Sequence, residues 1–151
     1  MPTRHPRSNS LPRLFLPLLF LLAVGSAQAE GPTTIEGVAE VVAGGTLAID
    51  GKTVQLIGIV APGPRQKCRD GSLPWLCGAA ARKHLLTLIG EHPVRCDIKS
   101  PGVAACRANG HDLGAAMVRD GWAVAEQDAE AYLALEREAR AARRGLWEKA
   151  P

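Results

Sequence analysis

Three runs of alternating apolar and polar residues, rich in β-branched side chains, open the main part of the chain. Gly44-Gly45 separates the first two runs, and Asp50-Gly51 separates the last two. An Asp-Gly pair tolerates the positive φ angles of a tight hairpin turn. The runs therefore predict three antiparallel strands, at residues 35–42, 47–49 and 53–59.

Helical spacing follows, after a loop predicted at residues 62–74, where prolines and glycines interrupt any regular pattern. Apolar side chains recur at Ala81, Leu85 and Ile89, and Gly90 ends the pattern, so we predict a helix over residues 78–89. A second hairpin is then predicted from residues 93–98 and 103–107.

Two helices complete the predicted elements. Asp112 is expected to cap a short helix that runs through Arg119, and Asp128 a longer one that reaches about Gly145. In the longer helix Glu136 and Arg140 are expected on the side opposite an apolar stripe. That stripe consists of Tyr132, Leu135, Ala139, Ala142 and Leu146.

The order of elements, β-β-β-α-β-β-α-α, predicts an α+β fold that is mainly a β-barrel. Five short strands favour a barrel, because closure removes the exposed edges that such strands would otherwise present. About 122 mature residues are enough for one hydrophobic core but not for two, so the mature chain is expected to form one domain.

The first 29 residues are typical of a secretory signal peptide. Arg4, Arg7 and Arg13 precede an apolar run at residues 14–24, and Ala27-Gln28-Ala29 is a small-x-small cleavage site. We therefore expect a mature domain of residues 30–151 in the periplasm or outside the cell. The apolar run is too short to span a bilayer comfortably, so no transmembrane segment is expected after cleavage; an uncleaved tether is the alternative.

Net charge changes once this leader is set aside. The whole chain has 18 basic and 15 acidic residues, and the leader holds three of the basic ones and no acidic one. The mature chain therefore balances 15 basic against 15 acidic residues. A neutral domain has no overall field to attract a polyanion, which weakens a nucleic-acid function.

Four cysteines, an even number in an exported chain, predict two disulfides with three possible connectivities. Zinc is disfavoured, because zinc ligands usually stand two to four residues apart, whereas these pairs are separated by nine and ten. Cys96 and Cys106 flank the Ser100-Pro101-Gly102 turn symmetrically and should face each other. We therefore predict Cys68–Cys77 and Cys96–Cys106 pairs.

Residues 54–62 read Val-Gln-Leu-Ile-Gly-Ile-Val-Ala-Pro, and Cys77-Gly78 leads into an alanine-rich helix. Residues 112–123 and 139–147 add two further motifs. In order and spacing these segments resemble the staphylococcal-nuclease-like (thermonuclease) family, from about Ile35 to Trp147. The resemblance implies an OB-type barrel with three helices.

The resemblance also implies a chemistry. Family members that cleave nucleic acid hold calcium with carboxylates, use a glutamate on the attacking water and bind phosphate with two arginines. In this chain each corresponding position carries a residue that is not chemically equivalent. The replaced positions are Ala43, Gly45, Gln55, Val60, Gly63 and Pro101.

These replacements predict a non-catalytic binding or accessory protein of the cell envelope. It is expected to be a monomer without cofactor or metal, and an envelope protein, a glycan or an oligonucleotide remains open as its partner. A calcium-dependent nuclease using an unrecognised site is the alternative, and a purely structural envelope protein is a third. No serine lies in a Gly-x-Ser-x-Gly setting, so a serine hydrolase is not favoured.

Other polar and aromatic residues are expected to have ordinary structural roles. The tryptophans Trp75, Trp122 and Trp147 should pack in the core or at helix ends. Arginines at 137, 140, 143 and 144 should form a solvated helix face. Solvated or locally hydrogen-bonded positions are expected for Glu40, Asp50, Arg69, Asp70, His84, His92 and His111.

Overall fold

The computed structural model describes Met1 and residues 33–148. The predicted leader beyond Met1 and its cleavage site lie outside the described residues. Among the described residues, no helix is both long and apolar enough to cross a membrane.

Eleven strands and three α-helices make up this part of the chain. The elements before the first helix are β1 (Thr34–Gly37), β2 (Ala39–Ala43), β3 (Thr46–Ile49), β4 (Lys52–Leu56), β5 (Ile59–Val60), β6 (Cys68–Asp70) and β7 (Leu73–Trp75). The remainder are α1 (Cys77–Ile89), β8 (Val94–Ser100), β9 (Val103–Ala108), β10 (His111–Asp112), α2 (Leu113–Arg119), β11 (Val124–Ala125), α3 (Glu130–Ala141) and a 3-10 helix (Gly145–Trp147).

The main sheet has the order β1-β8-β9-β4-β3-β2, with β10 paired to β9. Its end strands β1 and β2 are joined through Val38 alone, so they are two halves of one bent strand and the sheet is barrel-like. Counted in this way, β1–β2, β3, β4, β8 and β9 are the five predicted strands. The mixed α+β class and the OB-type arrangement with three helices are confirmed.

Alternation along the strands places one face of the sheet in the core. Leu47 and Ile49 on β3, and Val54 and Leu56 on β4, are buried, whereas Gln55 between the latter two is exposed. Helices α1 and α2 cover this face with a further set of buried apolar side chains. That set includes Ala81, Leu85, Ile89, Met117 and Val118.

Helix α1 and the two predicted hairpins are confirmed. Asp50 and Gly51 have φ angles of 48° and 74°, which the tight turn between β3 and β4 requires. Asp112 is the N-cap of α2, since its carboxylate accepts a hydrogen bond of 2.8 Å from the backbone N–H of Ala115. The prediction for Asp128 was wrong, because α3 begins at Glu130 with Ala129 as its N-cap and no side-chain cap bond.

The end of α3 also differs from the prediction. The helix ends at Ala141, and Gly145 begins a separate 3-10 turn, so the apolar stripe does not continue to Leu146 as α-helix. Glu136 was wrongly placed on the solvated side: it is buried, whereas its partner Arg140 is exposed. Helical periodicity missed this, because the buried carboxylate is held by a contact outside the helix.

Two segments near the centre of the chain differ as well. The third predicted strand ends at Leu56, because Gly58 has a φ of 75° and turns the chain. Strand β5 then pairs with β11 rather than continuing in the main sheet. The predicted loop at residues 62–74 contains most of a small hairpin, in which β6 pairs with β7.

Both predicted disulfides are present, Cys68–Cys77 and Cys96–Cys106. Cys96 and Cys106 are register partners in the β8–β9 hairpin, with Cα atoms 4.0 Å apart, and both are buried. Cys68–Cys77 joins the small hairpin to the first residue of α1.

Candidate functional site

A cleft of about 350 Å³ opens beside the turn between β2 and β3. Glycine makes this turn possible, because a Cβ on Gly44 would lie 2.7 Å from the Cβ of Ala81 on α1. The close approach fixes the turn against the helix. The lining consists of Ala43, Gly45, Thr46, Gln55, Leu56, Ile59, Val60, Ala61, Pro62, Gly63, Pro64 and Glu126.

The fold brings five of the six sequence-derived positions into this one cleft. Ala43, Gly45, Gln55, Val60 and Gly63 all line it, although they come from separate strands and loops. The sixth position, Pro101, is exposed in the β8–β9 turn and is not among the lining residues. That turn still borders β4, which carries Gln55 to the cleft, since the backbone N–H of Gln55 donates to the carbonyl of Gly102 at 2.8 Å.

The cleft has almost no charge. Thr46, Gln55 and Glu126 supply its polar side chains, and no lysine, arginine or histidine is among the lining residues. Within the described part of the chain, no group of three or more histidine, cysteine, aspartate or glutamate side chains is placed to hold a metal ion. The lining therefore offers neither a carboxylate cage for a hard cation nor a cationic clamp for phosphate.

Glu126 is the one ionisable side chain in the lining, and sequence reasoning missed it. It follows directly after β11, and its backbone N–H donates to the carbonyl of Gly58 at 2.9 Å. This bond and the pairing of Val124 with Val60 bring it to the cleft wall. No local motif identifies the position, because it depends on a two-residue strand pairing across more than sixty residues of sequence.

Glu136 stabilises this wall of the cleft through a contact with the residue before Glu126. Its Oε2 accepts a hydrogen bond of 2.7 Å from the backbone N–H of Ala125, and its Oε1 accepts one of 2.8 Å from Nε of Arg140. The guanidinium of Arg140 in turn lies 3.8 Å over the ring of Trp147. Helix α3 and the 3-10 helix at Gly145–Trp147, which we call the C-terminal turn, therefore fix the position of β11.

A second cavity, of about 420 Å³, adjoins the first at Glu126. It lies between the β4–β5 turn and the start of α3. A Cβ on Gly58 would come within 3.0 Å of the Tyr132 ring, so the turn backbone rests directly on that ring. The lining consists of Ile57, Gly58, Glu126, Asp128, Ala129, Glu130, Ala131 and Tyr132.

Tyr132 is anchored by its hydroxyl, which donates to the carboxylate of Asp112 with both oxygens at 3.1 Å. Burial, and then the neighbouring Asp112 charge, raise the pKa of Tyr132 from its ordinary 10.0 to about 12. The phenol is therefore neutral at physiological pH, and it serves as a structural hydrogen-bond donor.

The three histidines in the described part of the chain do not gather into a site. His84 lies on α1, where its Nε2 is 2.8 Å from Oδ2 of Asp120 and its ring stacks on Trp122 at 5.6 Å between centroids. His92 and His111 are exposed. Trp75 meets Trp122 edge to face at 6.4 Å, which agrees with the expected packing roles of these rings.

Four other polar candidates also lie away from the cleft lining. Glu40 on β2 and Asp50 in the β3–β4 turn are exposed, and Arg69 and Asp70 lie on the small hairpin strand β6. None of them lines either of the two cavities. They therefore add no charged side chain to either cavity.

Comparison with known proteins identifies the family of this chain. No curated protein matches the chain. A family model described as "Staphylococcal nuclease homologue" matches residues 53–149, which is most of the 151-residue chain. The match begins within β4, after the first three strands, and includes the β8–β9 hairpin and all three helices. The chain therefore belongs to the staphylococcal nuclease homologue family.

Proposed function

We propose that this protein is an exported member of the staphylococcal nuclease homologue family that binds a partner in the cell envelope and does not cleave nucleic acid. One observation carries the proposal: the cleft that contains Ala43, Gly45, Gln55, Val60 and Gly63 has a single ionisable lining side chain, Glu126. The family resemblance puts the metal ligands, the glutamate and an arginine at those five positions.

Phosphodiester cleavage makes demands that this lining does not meet. Negative charge builds up on the phosphate in the transition state and needs nearby cations, and water needs a base or a metal to become a nucleophile. Gln55 offers a neutral amide where an arginine would form a bidentate, charged pair with phosphate. Val60 offers a hydrocarbon side chain where a hard cation requires oxygen.

Glu126 does not replace this equipment by itself. A lone carboxylate in a cleft without cations repels phosphate, and one carboxylate does not provide the several oxygen ligands that calcium takes. Its chemistry therefore suits recognition of a neutral or cationic group better than hydrolysis of an anionic one.

Export is supported by two independent features. The two disulfides are typical of an oxidising compartment, since cytosolic thiols are kept reduced. The sequence of residues 1–29 is typical of a leader peptide. N-terminal sequencing of protein purified from the periplasm of an expressing bacterium tests this, and a mature chain that begins near Glu30 is expected.

The decisive test is cleavage. Protein produced from the full-length chain, with both disulfides formed, is incubated with single-stranded DNA and with RNA, in calcium and in EDTA. No cleavage above a vector-only preparation is expected. Calcium-dependent cleavage that copurifies with the protein would show instead that it is a nuclease with a different site.

Partial restoration of the family motif should leave the protein inactive. Ala43→Asp with Gly45→Asp returns two carboxylates, but the arginine and glutamate positions stay neutral. The structure adds a cost, because a Cβ on Gly45 would lie 3.3 Å from the Cβ of Ala61. Measurable cleavage by this double variant would mean that the active positions have been assigned wrongly.

A further inference from the structure

The cavity between the β4–β5 turn and α3 has a lining that differs from that of the cleft. Ile57, Ala129, Ala131 and the Tyr132 ring make most of its surface apolar. The floor is fixed, because the Tyr132 hydroxyl is bound to Asp112 and Gly58 rests on the ring. Ile57, with 37% of its surface exposed, forms an apolar edge to the cavity.

The ionisable groups of this lining, Tyr132 apart, are all carboxylates. Glu126, Asp128 and Glu130 stand at alternate positions in the segment that enters α3, and all three are exposed. Neither this lining nor that of the adjoining cleft contains a lysine, arginine or histidine. We call this cavity the acidic groove. It combines a fixed apolar floor with a rim of one charge sign.

We propose that the acidic groove docks a short basic segment of a protein partner, with an apolar side chain against Tyr132 and Ile57 and lysines or arginines facing the three carboxylates. This inference rests on the proposed binding role and names the class of partner. Complementary charge would steer the encounter, and the apolar contact would contribute the buried surface.

Two other kinds of ligand fit the groove less well. A nucleic acid would set its phosphates against three carboxylates without a lining cation to offset them. A small polycation such as a polyamine would satisfy the rim but leave the apolar floor uncovered. The charge of the groove is thus opposite to what the phosphate chemistry of the family needs.

The test uses three labelled peptides of equal length, titrated by fluorescence anisotropy into protein produced from the full-length chain. One peptide has a central leucine flanked by lysines, the second has the same leucine flanked by glutamates, and the third has the lysines with serine in place of leucine. The first is expected to bind at least tenfold more tightly than either of the others, and more weakly as salt rises.

A charge-matched pair of variants locates the binding. Glu126→Gln with Asp128→Asn and Glu130→Gln should weaken the first peptide at least tenfold. Glu36→Gln with Glu40→Gln and Asp50→Asn removes three exposed carboxylates elsewhere and should change its affinity less than twofold. Thermal unfolding of both variants checks that each remains folded.

Three outcomes would overturn the inference: no binding of the lysine–leucine peptide, an equal loss of binding in the two variants, or tighter binding of single-stranded DNA than of this peptide by the unmodified protein. The peptide titration is independent of the cleavage assay. Nuclease activity would therefore contradict the proposed function alone, and a failed titration would contradict this inference alone.

Discussion

The C-terminal joint and the cleft use glycine in different ways. The joint, where Gly121 after α2 meets the 3-10 turn that begins at Gly145, is packed backbone against backbone. A Cβ on Gly121 would lie 2.2 Å from the Arg144 carbonyl oxygen, whereas a Cβ on Gly63 in the cleft meets no atom within 4 Å. Packing requires glycine at position 121 in the joint, whereas the space around Gly63 would accommodate a side chain. The family resemblance implies a glutamate at this position, and packing does not exclude one.

The joint should be the most sensitive point of the molecule. Gly121→Ala places a methyl group against the Arg144 carbonyl at a φ of 79°, so the free energy of unfolding should fall by about 3 kcal/mol or more. Urea unfolding measures this. Gly51→Ala is the matched control, because it has a φ of 74° with open space around it, and should cost only about 1 kcal/mol. Equal losses would mean that the contact is unimportant.

The two disulfides should stabilise different parts of the molecule. Each closes a ring of about ten residues, which is worth roughly 2–3 kcal/mol on the chain-entropy model. Cys96→Ala with Cys106→Ala should lower the midpoint of urea unfolding, because this pair lies in the core. Cys68→Ala with Cys77→Ala should also lower this midpoint. Unlike the first variant, it should loosen the segment beside the cleft rim. Trypsin should then cleave first after Arg65, Lys67 or Arg69; cleavage elsewhere first would contradict this.

Tyr132 on α3 makes the stability of the folded state depend on pH. A tyrosine with a folded pKa of about 12 against an ordinary 10.0 contributes stability that is complete below pH 10 and lost as pH rises through 12. Tyr132→Phe should cost about 1 kcal/mol at neutral pH through its lost hydrogen bond, and should remove this alkaline loss.

Tyrosinate absorbance checks the titration directly, because Tyr132 is the only tyrosine in the sequence. A midpoint near 10 in the folded protein would mean that both the burial of Tyr132 and its contact with Asp112 are absent in solution.

The smallest effect is expected in the cleft. Gly63→Glu projects into open space, so the free energy of unfolding should change by no more than about 0.5 kcal/mol. Cleavage should remain absent. A large loss of stability, measured by the same urea unfolding, would show that the fold does constrain this position and would remove the contrast with the joint.

Features set by short-range chemistry could be predicted from the sequence. Asp50-Gly51 identified a hairpin, Asp112 a helix cap and Cys96–Cys106 a pair across a turn, since each depends on residues within about ten positions. The errors came from contacts between distant segments. Asp128 has the right side chain for a cap, but the chain enters α3 at Ala129. Periodicity predicted a solvated position for Glu136, whereas its carboxylate accepts a hydrogen bond from the distant Ala125 backbone.

The residues of the candidate site also fall into those that the sequence could predict and those that it could not. Resemblance to the family located positions on β2, in the β2–β3 turn, on β4, on β5 and just after β5, and these five line one cleft. Glu126 could not, because its place depends on the pairing of β11 with β5. The acidic groove was missed for the same reason, since Ile57 and Tyr132 come from elements far apart in the chain.

The short strand β11 has a consequence for how the protein opens. It is held by β5 on one side and by the Glu136 carboxylate on the other. Release of α3 together with the 3-10 turn would withdraw Glu136 from the Ala125 backbone and free a wall of the cleft and of the groove. The β8–β9 hairpin would stay closed by Cys96–Cys106. Native-state hydrogen exchange should find the amides of residues 124–147 opening together, ahead of those in β8 and β9. The protein would then have a folded state that does not bind, in which loss of recognition precedes loss of the barrel.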